Sequence, residues 1–381
     1  MKKLFVIMLL CLTTVYGVIS CNKSSDSSPT DNSGAATTYQ GAGSKWSIAI
    51  TGANFVINKY ASAGDTTPEM TISGTLEKYA NQFVKLTVAS ASGSNAPSAG
   101  SVAYGLEVPG YAFFLKPIGG NSEPIIMVQS GTCPTTSFDA NWIIAKTRSD
   151  FTPPMTSTID FFGGASMNFN GASSSLTVNQ YEPITGAVIS TGGGNGNGTS
   201  TMPFNIGNCS NGLLRVHESG NDYFDMYFTS SGGALVKFPG GQIIFVSPKQ
   251  NSAVTQASIA GTYSGVVFND SSSGDSVFPV KLSIPTSGNS NGIEITDVAA
   301  DTVSSDGVVF SNIASTTDSS ATQLPSGMFR ADLNSSSATT NGKVSCAYST
   351  ISSTKIIACT GFMNNTGGDA RRPFFILARS R

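Results

Sequence analysis

Phe278-Pro279-Val280-Lys281-Leu282-Ser283-Ile284 places an apolar side chain at alternate positions, and Val344-Ser345-Cys346-Ala347-Tyr348 keeps the same spacing. Successive side chains of a strand point to opposite faces, so a period of two means one buried face and one wet face. The pattern extends outward along the chain. Trp46, Ile48 and Ile50 alternate with polar or small residues, as do Met70 and Ile72, then Val84, Leu86 and Val88, then Val102, Tyr104, Leu106 and Val108. Met202, Phe204 and Ile206 repeat it, followed by Phe224, Met226 and Phe228. Clusters of Gly, Asn, Ser and Asp lie between the runs, including Gly192 to Gly198 and Asn269 to Ser276, and supply turn chemistry. No window of about a dozen residues carries an apolar stripe at helical spacing. An all-β, nearly helix-free chain of tandem antiparallel β-barrel or β-sandwich units is expected.

A loose repeat at intervals of about 100 to 120 residues divides the chain. Its copies open on an aromatic strand residue, at Trp46, Trp142 and Tyr263, each read as a plug at the base of a core. They close on apolar runs at Pro124 to Ser130, Gln242 to Ser247 and Pro373 to Ser380. Ala99-Gly100, Asn211-Gly212 and Asn341-Gly342 precede later strands, and Gly119-Gly120, Gly232-Gly233 and Gly367-Gly368 fall between them. The expected units are residues 45–132, 133–250 and 255–381.

Before the first unit, Met1-Lys2-Lys3 is followed by an apolar run from Leu4 to Val18 and then by Val18-Ile19-Ser20-Cys21. The run is too short to remain as a spanning helix and reads as a leader covering residues 1–20. The segment resembles the signal peptide of bacterial lipoproteins. That resemblance implies cleavage between Ser20 and Cys21, lipidation of Cys21, and an exported protein held in the bacterial envelope, at the outer membrane, facing the periplasm or the cell surface. Residues 21–44 are dominated by Ser, Asp, Asn, Thr and Gly, too polar to form a core, and are expected to act as a tether.

Cys11 lies in the leader and Cys21 at its junction, which leaves Cys133, Cys209, Cys346 and Cys359. Four cysteines allow three pairings, and composition does not choose among them. A turn at Ser352-Ser353 sets Cys346 opposite Cys359 in an antiparallel hairpin, so this pairing is preferred and Cys133 with Cys209 follows by default. An exported protein favours oxidation of both pairs.

The remaining chemistry is sparse. Only 12% of the 381 residues are charged, with 21 Lys and Arg against 23 Asp and Glu, so nucleic acid is not an expected partner. No CxxC pair accompanies the single histidine, His217, which argues against zinc. No phosphate-binding loop occurs. His217 is read as a solvated or cross-strand-paired residue at a strand end, Glu218, Asp222 and Asp225 as keeping a turn soluble, and Asp270 to Asp275 as a Ser-rich hairpin loop, rather than as catalytic or metal-binding groups. No cofactor is expected.

The aromatic residue near each first strand, preceded by Gly at Gly261-Thr262-Tyr263, resembles the opening of lipocalin-like barrels. No ligand residues are carried over from that resemblance. The expected function is non-enzymatic: a lipid-anchored binding, adhesion or structural module that meets an envelope or cell-surface protein, a glycan or a hydrophobic ligand. One alternative is a carrier holding a lipid in a barrel pocket, and another is a surface polysaccharide-processing enzyme. Metabolic labelling with an alkynyl palmitate is expected to tag the wild-type chain and to leave Cys21→Ser untagged. Equal labelling of the variant would remove Cys21 as the acceptor.

Overall fold

The computed structural model describes residues 36–41, 45–61, 65–115, 125–129, 131–136, 138–145, 163–170, 175–181, 199–203, 209–218, 221–229, 233–237, 243–248, 252–269, 276–316, 323–335, 341–351, 353–364 and 371–381. The leader, Cys21, the Gly192 to Gly198 run and the Asp270 to Asp275 loop lie outside the described residues.

Eight antiparallel strands close into a first barrel: β1 (Thr37–Gly41), β2 (Trp46–Thr51), β3 (Asn54–Lys59), β4 (Met70–Lys78), β5 (Phe83–Gly93), β6 (Val102–Val108), β7 (Ala112–Leu115) and β8 (Ile125–Gln129). β1 pairs with both β2 and β8 and so completes the ring. Its residues fall within the stretch expected to be tether. Tyr39 explains the difference, because this one large side chain is fully buried among Ile48, Phe55 and Phe113 and anchors an otherwise polar segment.

A nine-stranded sheet follows: β9 (Phe138–Ala145), β10 (Gly163–Asn170), β11 (Ser175–Tyr181), β12 (Thr199–Pro203), β13 (Cys209–Ser210), β14 (Leu213–Glu218), β15 (Asn221–Phe228), β16 (Ala234–Lys237) and β17 (Ile243–Pro248). Its order runs β12-β11-β10-β9-β17-β16-β15-β14-β13. The two outermost strands are consecutive in sequence, so the order is that of a barrel meander left open between β12 and β13. Asn211 and Gly212 both take positive φ, at 50° and 77°, in the tight turn between β13 and β14.

The short helix α1 (Gln256–Ile259) leads into a second closed barrel. Thr255 caps α1, accepting at its hydroxyl from the Ser258 amide at 3.2 Å. The barrel strands are β18 (Gly261–Asn269), β19 (Ser276–Ile284), β20 (Asn291–Asp297), β21 (Thr302–Ala314), β22 (Met328–Ser335), β23 (Asn341–Ile351), β24 (Thr354–Asn364) and β25 (Arg371–Ser380). The architecture is therefore all-β with barrels, and the sandwich alternative does not apply to the two closed sheets.

Both barrel interiors are packed. Tyr39, Ile48, Phe55, Ile57, Leu86 and Phe113 fill the first, while Tyr263, Val267, Leu282, Phe310, Phe329 and Val344 fill the second. A third apolar core lies outside them. Leu106, Val108, Phe114, Ile126 and Val128 on the outer face of β6 to β8 join Tyr227 of β15 and Met328, Ala347, Ile356, Ala358 and Leu377 of the second barrel. This explains why all four residues of β7, Ala112-Phe113-Phe114-Leu115, are buried: one face fills the barrel and the other enters the junction. Residues 34–381 accordingly form one compact unit.

The ladder slips by one residue where Ser73 pairs with Ser90 but Gly74 pairs with Val88. A Cβ on Gly74 would lie 1.9 Å from the Thr87 carbonyl oxygen. Gly74→Ala is expected to destabilise the protein by about 2 kcal/mol or more in urea unfolding, since backbone atoms must move to admit the methyl group. An unchanged midpoint would show that the bulge is not a constraint.

Candidate functional site

The described polar chemistry gathers where the two barrels meet. In the apolar stretch Gly105-Leu106-Glu107-Val108, the Glu107 side chain is turned into the first barrel and is only 7% exposed. Tyr39 Oη donates to Glu107 Oε1 at 2.7 Å, and Lys78 Nζ lies 2.6 Å from Oε2. Burial, followed by the adjacent Glu107 charge, raises the Tyr39 hydroxyl pKa far above its ordinary value. Arg379 of β25 crosses from the second barrel and donates through Nη1 to the Glu107 carbonyl at 2.7 Å. Burial lowers the Arg379 pKa, and the Glu107 charge opposes that shift.

A second polar group lies at the tight turn between β4 and β5, where Gln82 has φ 72°. Asn81 reaches the β20–β21 turn of the other barrel, donating through Nδ2 to the Val298 carbonyl at 2.8 Å and to Asp301 Oδ1 at 3.3 Å. Its backbone carbonyl accepts from Ser264 Oγ. Asp301 sits on the β20–β21 turn with φ 53°, a conformation that Asp tolerates. Arg381 grips it with two parallel bonds, Nη1 to Oδ2 at 2.6 Å and Nη2 to Oδ1 at 2.7 Å, and Lys281 Nζ adds a contact at 3.3 Å. Hydrogen bonding from Arg381 is the main cause of an Asp301 carboxyl pKa held well below the usual carboxylate range.

Tyr79, Ala80, Asn81, Ala299, Asp301 and Arg381 line a cleft of about 190 Å³ at this junction. Tyr79, Ala80 and Ala299 form its less polar side. The locked Asn81–Asp301–Arg381 group forms a polar edge.

The sequence-predicted residues fall elsewhere. Cys133 is bonded to Cys209, with Cα atoms 5.9 Å apart, and clips the linker after the first barrel onto β13. The same linker donates from the Gly131 amide to the Phe228 carbonyl. Cys346 is bonded to Cys359 directly across β23 and β24, with Cα atoms 4.1 Å apart. His217 stands on β14 in register with Asp222 of β15. Among the described residues no group of three His, Cys, Asp or Glu side chains is placed to hold a metal ion.

The aromatic plugs divide. Tyr263 is fully buried and donates to the Ile259 carbonyl at 2.5 Å. Trp46 is only half-buried, with Lys59 Nζ 5.8 Å from its ring centre, and Tyr39 occupies the closing position instead. Tyr39 pairs with Gln129 on the last strand of its barrel, as Tyr263 pairs with Ser380 on the last strand of the other. The shared text Thr38-Tyr39-Gln40-Gly41 and Thr262-Tyr263-Ser264-Gly265 was the signal for this equivalence.

No protein-family model matches the chain, and no curated protein matches it. Among solved structures it is similar to a transferrin-binding protein B double mutant, a vaccine antigen from Haemophilus parasuis Hp5, with 8% identity and a TM-score of 0.28 over 91% of this chain and 76% of that one. It is also similar to isotype 1 transferrin-binding protein B from serogroup B Neisseria meningitidis, at 9% identity and TM-score 0.27 over 88% and 65%. A protein of unknown function in the DUF3598 family, from Nostoc punctiforme PCC 73102, gives 10% identity and TM-score 0.27 over 65% and 96%.

Asp301 binds its proton less readily in the folded than in the unfolded chain, so unfolding in acid takes up protons. The clamp's stabilisation is therefore full well above the unfolded carboxylate value of about 4 and declines as pH falls below it. Asp301→Asn, which keeps the turn but removes the charge, is expected to cost about 1 to 3 kcal/mol at pH 7 in denaturant unfolding and to lose that acid dependence. Identical pH profiles for variant and wild type would refute the clamp.

Proposed function

We propose that the chain is an exported binding module, held to the envelope through Cys21 and a polar linker, that meets its partner with outer surfaces and loops. The carrying observation is the packing of the barrels. Both interiors are filled by their own side chains, including fully buried Tyr39, Phe113, Tyr263 and Phe329, which leaves recognition to the outside. Joining the three sheets through outer faces adds support, because loops on a rigid scaffold lose little freedom when they bind.

The polar geometry also favours binding over turnover. Glu107 and Asp301 are each held by cationic partners of their own barrel, which occupies both carboxylates instead of leaving one to exchange protons with a substrate. The units at 45–132, 133–250 and 255–381 remain our proposed division of the chain, with the first extended to include β1.

Solvent extraction of the purified chain, followed by mass spectrometry, is expected to release no lipid stoichiometric with protein. Protease added to intact cells is expected to remove the carboxyl-terminal barrel, as detected by an antibody to it. Stoichiometric lipid would replace the binding-module reading with the carrier reading, and full protection would overturn surface recognition.

A further inference from the structure

We infer that the cleft between the barrels, at Tyr79, Asn81, Asp301 and Arg381, binds one neutral sugar ring of a glycan. This deepens the binding-module reading and rests on it.

The cleft holds about 190 Å³, below the roughly 300 to 1,000 Å³ of sites that enclose larger organic ligands, which suits a single ring left open to a continuing chain. Its aromatic component is the half-buried Tyr79. An aromatic face is electron-rich and favours the weakly positive C–H face of a sugar, while ring hydroxyls require fixed hydrogen-bonding groups at the edge. Arg381 supplies these. Among the described residues three of its five N–H groups are engaged, one by Ser264 and two by Asp301, and the remaining two donors belong to a guanidinium already locked in place. A prearranged donor pair loses little side-chain freedom on binding.

Charge selects the neutral class. Asp301 faces Arg381 and Lys281, Glu77 lies 3.9 Å from Lys85, and Asp297 ends β20 beside the same turn, so three carboxylates are balanced by three cations. Positive and negative groups are interspersed, so the site offers no net field for a phosphate or a cation. The ligand that matches one apolar face, several hydroxyls and no charge is a sugar.

Saturation-transfer NMR on the full chain, with maltotriose, cellotriose and mannotriose as separate probes, tests the inference. At least one probe is expected to bind in the millimolar range. Tyr79→Phe should keep that affinity within about twofold, and Tyr79→Ala should weaken it about tenfold. Protection of Tyr79 from nitration by the bound probe, relative to Tyr60, supplies a readout on the unaltered chain should the alanine variant misfold. Absence of transfer from all three probes, or binding that leaves Tyr79 nitration unchanged, would overturn the inference. Neither result alters the expected lipid extraction or cell-surface protease outcome, so the broader reading fails or stands separately.

Discussion

Burial of β6 to β8 on both faces is the constraint on which the molecule depends. A barrel strand ordinarily buries its inner side chains and wets its outer ones. Here Phe113 and Leu115 fill the first barrel while Phe114 and Ala112, on the same strand, enter the junction with the second. Each fully buried side chain of this size contributes roughly 1.5 to 3 kcal/mol, so the outer faces form a core comparable in kind to those inside the barrels. Separating the sheets would expose that core. Tight curvature completes the arrangement, since a Cβ at Gly105 would lie 2.6 Å from the Phe114 carbonyl oxygen.

Apolar faces determine that the barrels associate, and polar groups determine how. An apolar junction admits sliding at small cost, whereas a buried donor or acceptor has a partner in only one alignment. Asn81 finds Val298 and Asp301, Arg379 finds the Glu107 carbonyl, and Asn141 of the middle sheet donates to the Ser326 carbonyl at 2.7 Å. Among the described residues, Asn141 Oδ1, Thr360 Oγ1 and Arg379 Nε are buried without hydrogen-bond partners. All three residues belong to strands inside the packed unit.

The strands themselves were legible because alternation reports one buried face locally. Val84, Leu86 and Val88 point inward together, as do Val280, Leu282 and Ile284. Continuous apolar runs such as Ile125-Ile126-Met127-Val128 carried further information, since a run without alternation marks burial on both faces. β1 was harder to see. Thr37, Thr38 and Gln40 read as linker, and only Tyr39 with Gly41 betrayed a closing strand. The cleft was not legible at all: Asn81 and Asp301 lie 220 residues apart, and each resembles an ordinary turn residue. Hydrophobic periodicity specifies which face is covered but carries no record of the distant turn that covers it.

Closure shows how one strand plan yields different sheets. In every sheet the first strand pairs with the last: β1 with β8, β9 with β17, and β18 with β25. The closed barrels also share a buried Tyr two residues before a Gly, with Gly41 close to the Trp46 carbonyl and Gly265 close to the Leu377 carbonyl, where the absent side chain lets the backbones approach. The middle sheet keeps the terminal pairing but carries nine strands and ends at β12 and β13. At β13 its edge is tied by Cys209 to the linker after the first barrel, whose Gly131 carbonyl oxygen would sit 2.6 Å from a Cβ on Gly212. A covalent clip and a close backbone crossing therefore constrain an edge that ladder hydrogen bonds do not complete, and both come from the chain segment that joins it to the neighbouring barrel.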